Sequence, residues 1–263
     1  MLRDITIGQY YPVESKVHTL DPRTKILLTF VYIISLFLLD TVMGYLFVMV
    51  VLYTAIKITK VPIKFMLKGL KSIMVLLVFT AVLNIFFTGG EHELVSWGIF
   101  TITLEGILLA IEMATRLILL IIGSSILTLT TSPIQLTDGI ESLLNPFKKI
   151  GVPAHEIAMM MSISLRFIPI LLEETDKIMK AQIARGADFE SGNVIERAKA
   201  MVPIMVPLFI SAFRRADELA MAMEARCYRG GEGRTRMNSL AYSQKDIYAF
   251  IIGAIFMASC MML

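Results

Sequence analysis

The chain has 263 residues, of which 56% are apolar and only 18% charged, with a net charge of +3; an ordinary soluble domain is about 45–50% apolar. That composition marks an integral membrane protein and argues against nucleic acid as a partner. The two cysteines, Cys227 and Cys260, lack CxxC spacing, and His18, His92 and His155 are scattered, so neither a disulfide framework nor a metal site is expected.

Apolar runs of about 17–25 residues mark membrane spans, because the hydrocarbon layer is ~30 Å thick and a helix rises ~1.5 Å per residue. The opening stretch MLRDITIGQYYPVESKVHTL has no apolar run long enough for a signal peptide, so the first span is expected to serve for targeting. That span is expected over Thr24–Leu39, entered through LDPRTK, where Asp21 can cap the helix and Pro22 can take its first position. Tyr10 and Tyr11 suit a membrane interface. A second span follows over Val42–Ile58 after a turn at Asp40-Thr41. The third covers Lys71–Phe87, with a re-entrant segment near Pro62–Lys71 compatible with the pattern. A loop from Thr88 to Thr103 leads to the fourth span, Leu104–Thr130. In it Glu112 and Arg116 stand one helical turn apart, as a structural pair would. The fifth span runs from Ile247 to the C-terminus.

Basic residues collect in cytoplasmic loops. Arg3, Arg23 and Lys25 precede the first span, and Lys57, Lys60, Lys64, Lys68 and Lys71 lie between the second and third. Most of the rest fall between Lys148 and Lys245, whereas the loop Thr88–Thr103 carries Glu91 and Glu93 and no basic residue. The N-terminus is therefore expected inside and the C-terminus outside.

Residues 132–245 are too long for a connector and are expected to form a cytoplasmic helical domain between an N-terminal membrane region, 1–131, and a C-terminal span, 246–263. After a short helix punctuated by Pro and Gly come two long amphipathic patterns. One places Ile157, Met161, Leu165, Ile168 and Leu172 on a stripe, the other Val194, Ala198, Met201, Met205, Leu208 and Ala212. Arg166 interrupts the first as a span, and Lys199 with Arg214-Arg215 shortens the second. Pro169, Pro203 and Pro207 should bend the pair, so that it crosses or wraps a neighbour rather than forming a straight hairpin. Met159, Met160, Met161, Met179, Met201, Met205, Met221 and Met223 give these helices a surface able to repack against different partners.

Both patterns end alike, in Ala184-Arg185-Gly186 and Ala225-Arg226-Cys227. An arginine in the last turn complements the helix dipole, and glycine is the usual residue just past the end. Two copies closing two long helices point further, to arginines that enter acidic pockets on a partner, because a guanidinium binds carboxylates two at a time. Since Cys lacks the backbone freedom of Gly, the second helix is expected to continue to Arg229 and stop at Gly230-Gly231.

These two motifs, with GQYYPVESKVHTLDPRTK at the start and EARCYRGGEGRTR before the last span, resemble the EcfT family, the transmembrane coupling subunits of energy-coupling factor (ECF) type ABC transporters. The resemblance covers nearly the whole chain and implies an all-α membrane fold that couples ATP binding and hydrolysis to micronutrient uptake, vitamins being the expected cargo. It implies as partners two ABC-type ATPase subunits, docked through Arg185 and Arg226, and one or more exchangeable substrate-binding S-components held by the membrane part. No cofactor is implied. The chain has no G-x-x-x-x-G-K-[ST] sequence, so ATP chemistry belongs to a partner and the chain itself is expected to be non-catalytic. A membrane enzyme would need a convergent nucleophile, base or metal cluster. A lone secondary transporter would need inverted repeats and broken midplane helices. Neither pattern is visible.

Overall fold

The computed structural model describes residues 10–39, 41–90, 92–97, 100–189, 193–231 and 239–263. Arg3, Asp40 of the first turn, Glu91 and the EGRTR part of the motif before the last span lie outside the described residues. The helices are α1 (Pro22–Phe37), α2 (Val42–Thr59), α3 (Ile63–Phe87), α4 (Leu104–Thr130), α5 (Pro133–Leu144), α6 (Ala154–Ala184), α7 (Val194–Ala225) and α8 (Gln244–Met262). Between α3 and α4, where a plain loop was expected, strands β1 (Glu93–Trp97) and β2 (Phe100–Thr103) form an antiparallel hairpin. The Thr103 hydroxyl at its end donates to the Thr88 carbonyl, 2.9 Å away.

Local chemistry sets the helix starts. Asp21 accepts from the Arg23 N–H with Pro22 in the first turn of α1, and Thr41 and Thr103 do the same for Gly44 and Gly106 in α2 and α4. Ser243 and Asp246 form a reciprocal capping box at α8. The proline-bearing helices α6 and α7 stay continuous through Pro169, Pro203 and Pro207.

The chain divides into two compact units, one holding 140–238 and the other 8–139 with 239–263. In the second unit Leu36, Leu39, Val48, Leu52 and Leu119 form a buried core around Phe256, which stacks between Tyr32 and Phe47 at ring distances of 6.1 and 6.0 Å. The Tyr32 hydroxyl donates to the Leu119 carbonyl at 2.8 Å. Its ring fills the space where a Cβ on Gly123 would sit, so α1 and α4 approach closely at that glycine. Around this core the outward faces are apolar, with Phe30 60%, Val75 81% and Ile252 65% exposed. Such a surface suits lipid rather than water.

Among the described residues four helices, α2, α4, α6 and α8, are long and apolar enough to cross a membrane. There are five if α3, bent by 59° between Ile63–Lys71 and Ile73–Phe87, counts as one span. The architecture is therefore an all-helical, multi-pass membrane protein with one small hairpin. The third span, expected over Lys71–Phe87, corresponds to the arm Ile73–Phe87, and the bend sets Ile63–Lys71 apart from it, where the sequence was compatible with a re-entrant segment. Although Arg166 interrupts it, α6 is long and apolar enough to cross, because 31 residues leave room for an apolar stretch around one arginine. By contrast, α1 has 16 residues, a rise of about 24 Å.

Glu112 and Arg116 form the ion pair that their spacing predicts. Arg116 meets Glu112 at 2.9 Å, the Tyr45 hydroxyl at 2.9 Å and the Leu39 carbonyl at 2.9 Å, so its charge ties α4 to the α1–α2 corner.

Candidate functional site

In the unit formed by 140–238, α6 and α7 run antiparallel. The Gln182 amide near the end of α6 reaches the Pro203 carbonyl at 3.5 Å, and Arg215 pairs with Glu174 at 3.2 Å. Farther along, Ile163, Phe167 and Leu171 face Ala212, Ala216, Leu219 and Met223 across a groove of about 290 Å³. This ordering puts the C-terminus of α6 beside the first turns of α7, and the C-terminus of α7 at the other end of the pair. The two Ala-Arg motifs are thus on the order of 30 Å apart along the helices.

Each motif ends its helix in the same way. Arg185 is the C-cap of α6 with φ −88° and ψ 4°, and Arg226 is the C-cap of α7 with φ −91° and ψ 11°. The following residue turns left-handed in both cases, Gly186 at φ 89° and Cys227 at φ 55°. The Gly186 N–H donates to the Ile183 carbonyl at 2.9 Å and the Ala187 N–H to Gln182 at 3.0 Å. The Cys227 N–H donates to Glu224 at 2.8 Å and the Tyr228 N–H to Met223 at 3.0 Å. Both are Schellman caps, in which two otherwise unpaired carbonyls of the last turn are satisfied.

The continuation of α7 to Arg229 is therefore overturned: the helix stops at Ala225, and Cys227 takes the position of a glycine. At φ 55° it sits inside the narrow left-handed well open to L residues, where the two cap bonds offset the strain. The consequence is that Arg185 and Arg226 occupy equivalent positions. Ala184, Arg185, Gly186, Ala225, Arg226 and Cys227 are all exposed, and neither guanidinium makes a hydrogen bond or ion pair with another described residue.

The structure also explains a motif that periodicity left without an account. The segment preceding α1 folds into a polar node in the unit formed by 8–139 and 239–263. The Tyr11 N–H donates to the Leu129 carbonyl at 2.9 Å. His18 Nε2 donates to the Tyr11 carbonyl at 3.0 Å, which leaves Nδ1 to accept the Ser15 hydroxyl at 2.6 Å. Lys25, only 5% exposed, donates to the carbonyls of Thr130 at 2.9 Å and His18 at 3.1 Å. Asp246, 1% exposed, accepts from the backbone N–H of Asp21 at 2.8 Å and of Ser243 at 2.7 Å. Arg23 forms a two-point pair with Asp21 and lies 3.9 Å from the centre of the Tyr242 ring. Burial of Asp21 works against its charge, but the hydrogen bonds and charge of Arg23, aided by Lys25, hold its carboxyl below the ordinary carboxylate value. Burial pushes the His18 imidazole below its ordinary value. Two sequence signals belong to this node, Asp21-Pro22 before the first apolar run and the Ser243…Asp246 capping pattern before the last; nothing local connects them.

No group of three His, Cys, Asp or Glu side chains able to hold a metal occurs among the described residues. What the molecule offers is two exposed cationic tips on long helices.

A family profile described as "CbiQ: Cobalt transport protein" matches residues 13–237. An "Energy-coupling factor transporter transmembrane protein EcfT" of Clostridium kluyveri is 61% identical over 250 residues, covering 95% of this chain and 93% of the relative. Proteins of the same name from Ruminiclostridium cellulolyticum and Bacillus subtilis are 60% and 50% identical, covering 98% and 94% of this chain and 96% and 93% of their own lengths. The chain therefore belongs to the CbiQ family and, within it, to the energy-coupling factor transporter transmembrane proteins, EcfT.

Proposed function

We propose that this chain is the non-catalytic coupling component of an ECF-type ABC importer. It joins ATP binding and hydrolysis by two partner ATPases to uptake of a micronutrient, expected to be a vitamin, through a membrane S-component. The observation that carries this reading is the pair of equivalent caps, which present Arg185 and Arg226 in the same backbone geometry, exposed and with no side-chain partner among the described residues. Two like tips at opposite ends of an antiparallel pair fit two like partners. Each guanidinium enters an acidic pocket on one ATPase subunit, with Ala184 or Ala225 beside it allowing close approach. Closure of the ATPase pair on ATP changes the distance between the tips, and α6 and α7 act as levers that carry the change into the membrane helices.

The domain built on these helices lies on the cytoplasmic side; with α1, α2, α3, α4 and α8 as the five spans, the N-terminus is inside and the C-terminus outside. Basic residues concentrated between Lys148 and Lys245 support that sidedness. α6 is long enough to span, but its partner α7 carries Arg197, Lys199, Arg214 and Arg215, which favours placement of the pair at the membrane surface. An exposed apolar strip on α7, with Met201 53%, Met205 49%, Phe209 57% and Phe213 67% exposed, suits an exchangeable S-component, because methionine repacks readily.

The test is capture of ATPase subunits from membranes by the tagged wild-type chain and by an Arg185→Ala, Arg226→Ala double variant. Truncating a buried charged contact costs a complex about 2–5 kcal/mol, so the double variant, still inserted, should lose the ATPase pair. Equal capture by both forms would reduce the motifs to helix caps. Identifying the membrane subunit that co-purifies with the wild type, and its bound cargo, tests the substrate class.

A further inference from the structure

Two buried ions of opposite charge, Lys25 and Asp246, hold the places where the chain leaves and rejoins the membrane unit. The unit boundaries fall after Gly139 and before Ser239. Thr130, whose carbonyl accepts from Lys25, closes α4 just ahead of the first crossing, and Asp246 starts α8 just after the second. Neither ion makes its bonds within one helix. Lys25 bridges His18 and Thr130, and Asp246 bridges Asp21 and Ser243. At the rim Lys245 Nζ reaches the Thr19 hydroxyl at 3.4 Å, and Arg23 covers Tyr242. Capping α1 and α8 alone would need no buried lysine: Asp21 and Ser243 suffice for that. Burying an ammonium and a carboxylate is costly unless their bonds are retained, so an arrangement of this kind resists being pulled apart.

We propose that residues 11–25, with Thr130 and Asp246, form a positioning clamp. It locks together the two chain crossings, so that movement of the α6–α7 unit reaches α4 and α8 as displacement of one body instead of two. The proposal rests on the coupling function above. Lys25 and Asp246 are positioning residues in it; they touch neither ATPase nor cargo. A loosened clamp lets the α6–α7 unit move without moving the membrane helices in step, and ATP is then hydrolysed without uptake.

The experiment uses the complete complex with its ATPase pair and S-component, reconstituted in liposomes, and reads three quantities: ATPase capture, ATP hydrolysis and cargo taken up per ATP. Lys25→Met and Asp246→Asn keep side-chain size and remove charge-assisted bonds. With capture and hydrolysis retained, uptake per ATP should fall about tenfold, and Lys25→Arg should recover part of it. Unchanged uptake per ATP in either charge-removing variant would overturn the clamp. So would loss of ATPase capture from an inserted, folded chain, which would assign the node to assembly. Loss of capture in the Arg185, Arg226 double variant is read separately, so failure of the coupling function is distinguishable.

Should the node variants fail to fold, Thr19→Cys with Lys245→Cys, both at exposed positions, can be bridged by a short bismaleimide, with the unsubstituted chain as control for Cys227. A clamp that stays closed throughout the cycle predicts full uptake after bridging. Arrest of uptake by the bridge would show that the node opens during transport and overturn the proposal.

Discussion

Replacing Gly186 by alanine perturbs a tip without altering any charge. Gly186 holds φ 89°, beyond the left-handed well near +50 to +70° that L residues tolerate. A Cβ built there meets nothing within 4 Å, so the cost is backbone strain alone, about 1–2 kcal/mol. Opposing it are the two cap bonds of 2.9 and 3.0 Å, together worth about 1–3 kcal/mol. The strain and the restraint are of the same size, so unwinding of the last turn of α6 becomes competitive and Arg185 loses its fixed position in a large fraction of molecules. If docking requires the closed turn, ATPase affinity should weaken by up to about tenfold, the equivalent of about 1.4 kcal/mol. The reciprocal change, Cys227→Gly, should leave affinity nearly unchanged. Relief of strain at φ 55° is offset by the greater freedom of glycine in the unfolded chain, about 0.5–1 kcal/mol. Titrating the purified ATPase pair onto the chain in nanodiscs measures both, and hydrogen exchange at the Ala187 and Tyr228 amides reports the caps directly. Faster exchange at Ala187 with undiminished ATPase affinity would refute the link between cap geometry and docking.

Two further outcomes test the membrane unit. Gly123→Ala should cost about 1–3 kcal/mol by overpacking against Tyr32. Combined with Tyr32→Leu, which empties that space at the expense of the bond to Leu119, the penalties should be less than additive in thermal unfolding; strict additivity would contradict the contact. The node should also be acid-sensitive. His18 is shifted below 6.5 and Asp21 below 3.8, so in each case the unfolded chain binds protons more readily than the folded one. The stabilisation from His18 is complete above about pH 6.5 and that from Asp21 above about pH 4, each being lost as pH falls through the depressed folded value. Thermal unfolding measured from pH 7.5 to 5 should show a decline that His18→Gln removes; a decline of the same size in that variant would exclude His18 as its source.

The sequence by itself determined the membrane class, the helices and the two arginine motifs, because these depend on local quantities. A run of apolar residues either matches the hydrocarbon thickness or does not, and Asp21-Pro22 or Ser243…Asp246 states a helix start within four residues. Ala184-Arg185-Gly186 was legible as a helix end for the same reason. Cys227 was not, because residue type favoured a longer α7 and only the backbone hydrogen bonds of the folded turn show that the left-handed position is occupied. The hairpin at β1–β2 was read as a loop because two short strands carry little periodicity. The node was beyond reach in principle: Asp21 meets Asp246 and Lys25 meets Thr130 across 225 and 105 residues, and no local pattern encodes such a pairing. Tertiary structure decided it by placing the start of α1, the end of α4 and the start of α8 together. There the polar groups that each helix terminus leaves unpaired satisfy one another, out of contact with water.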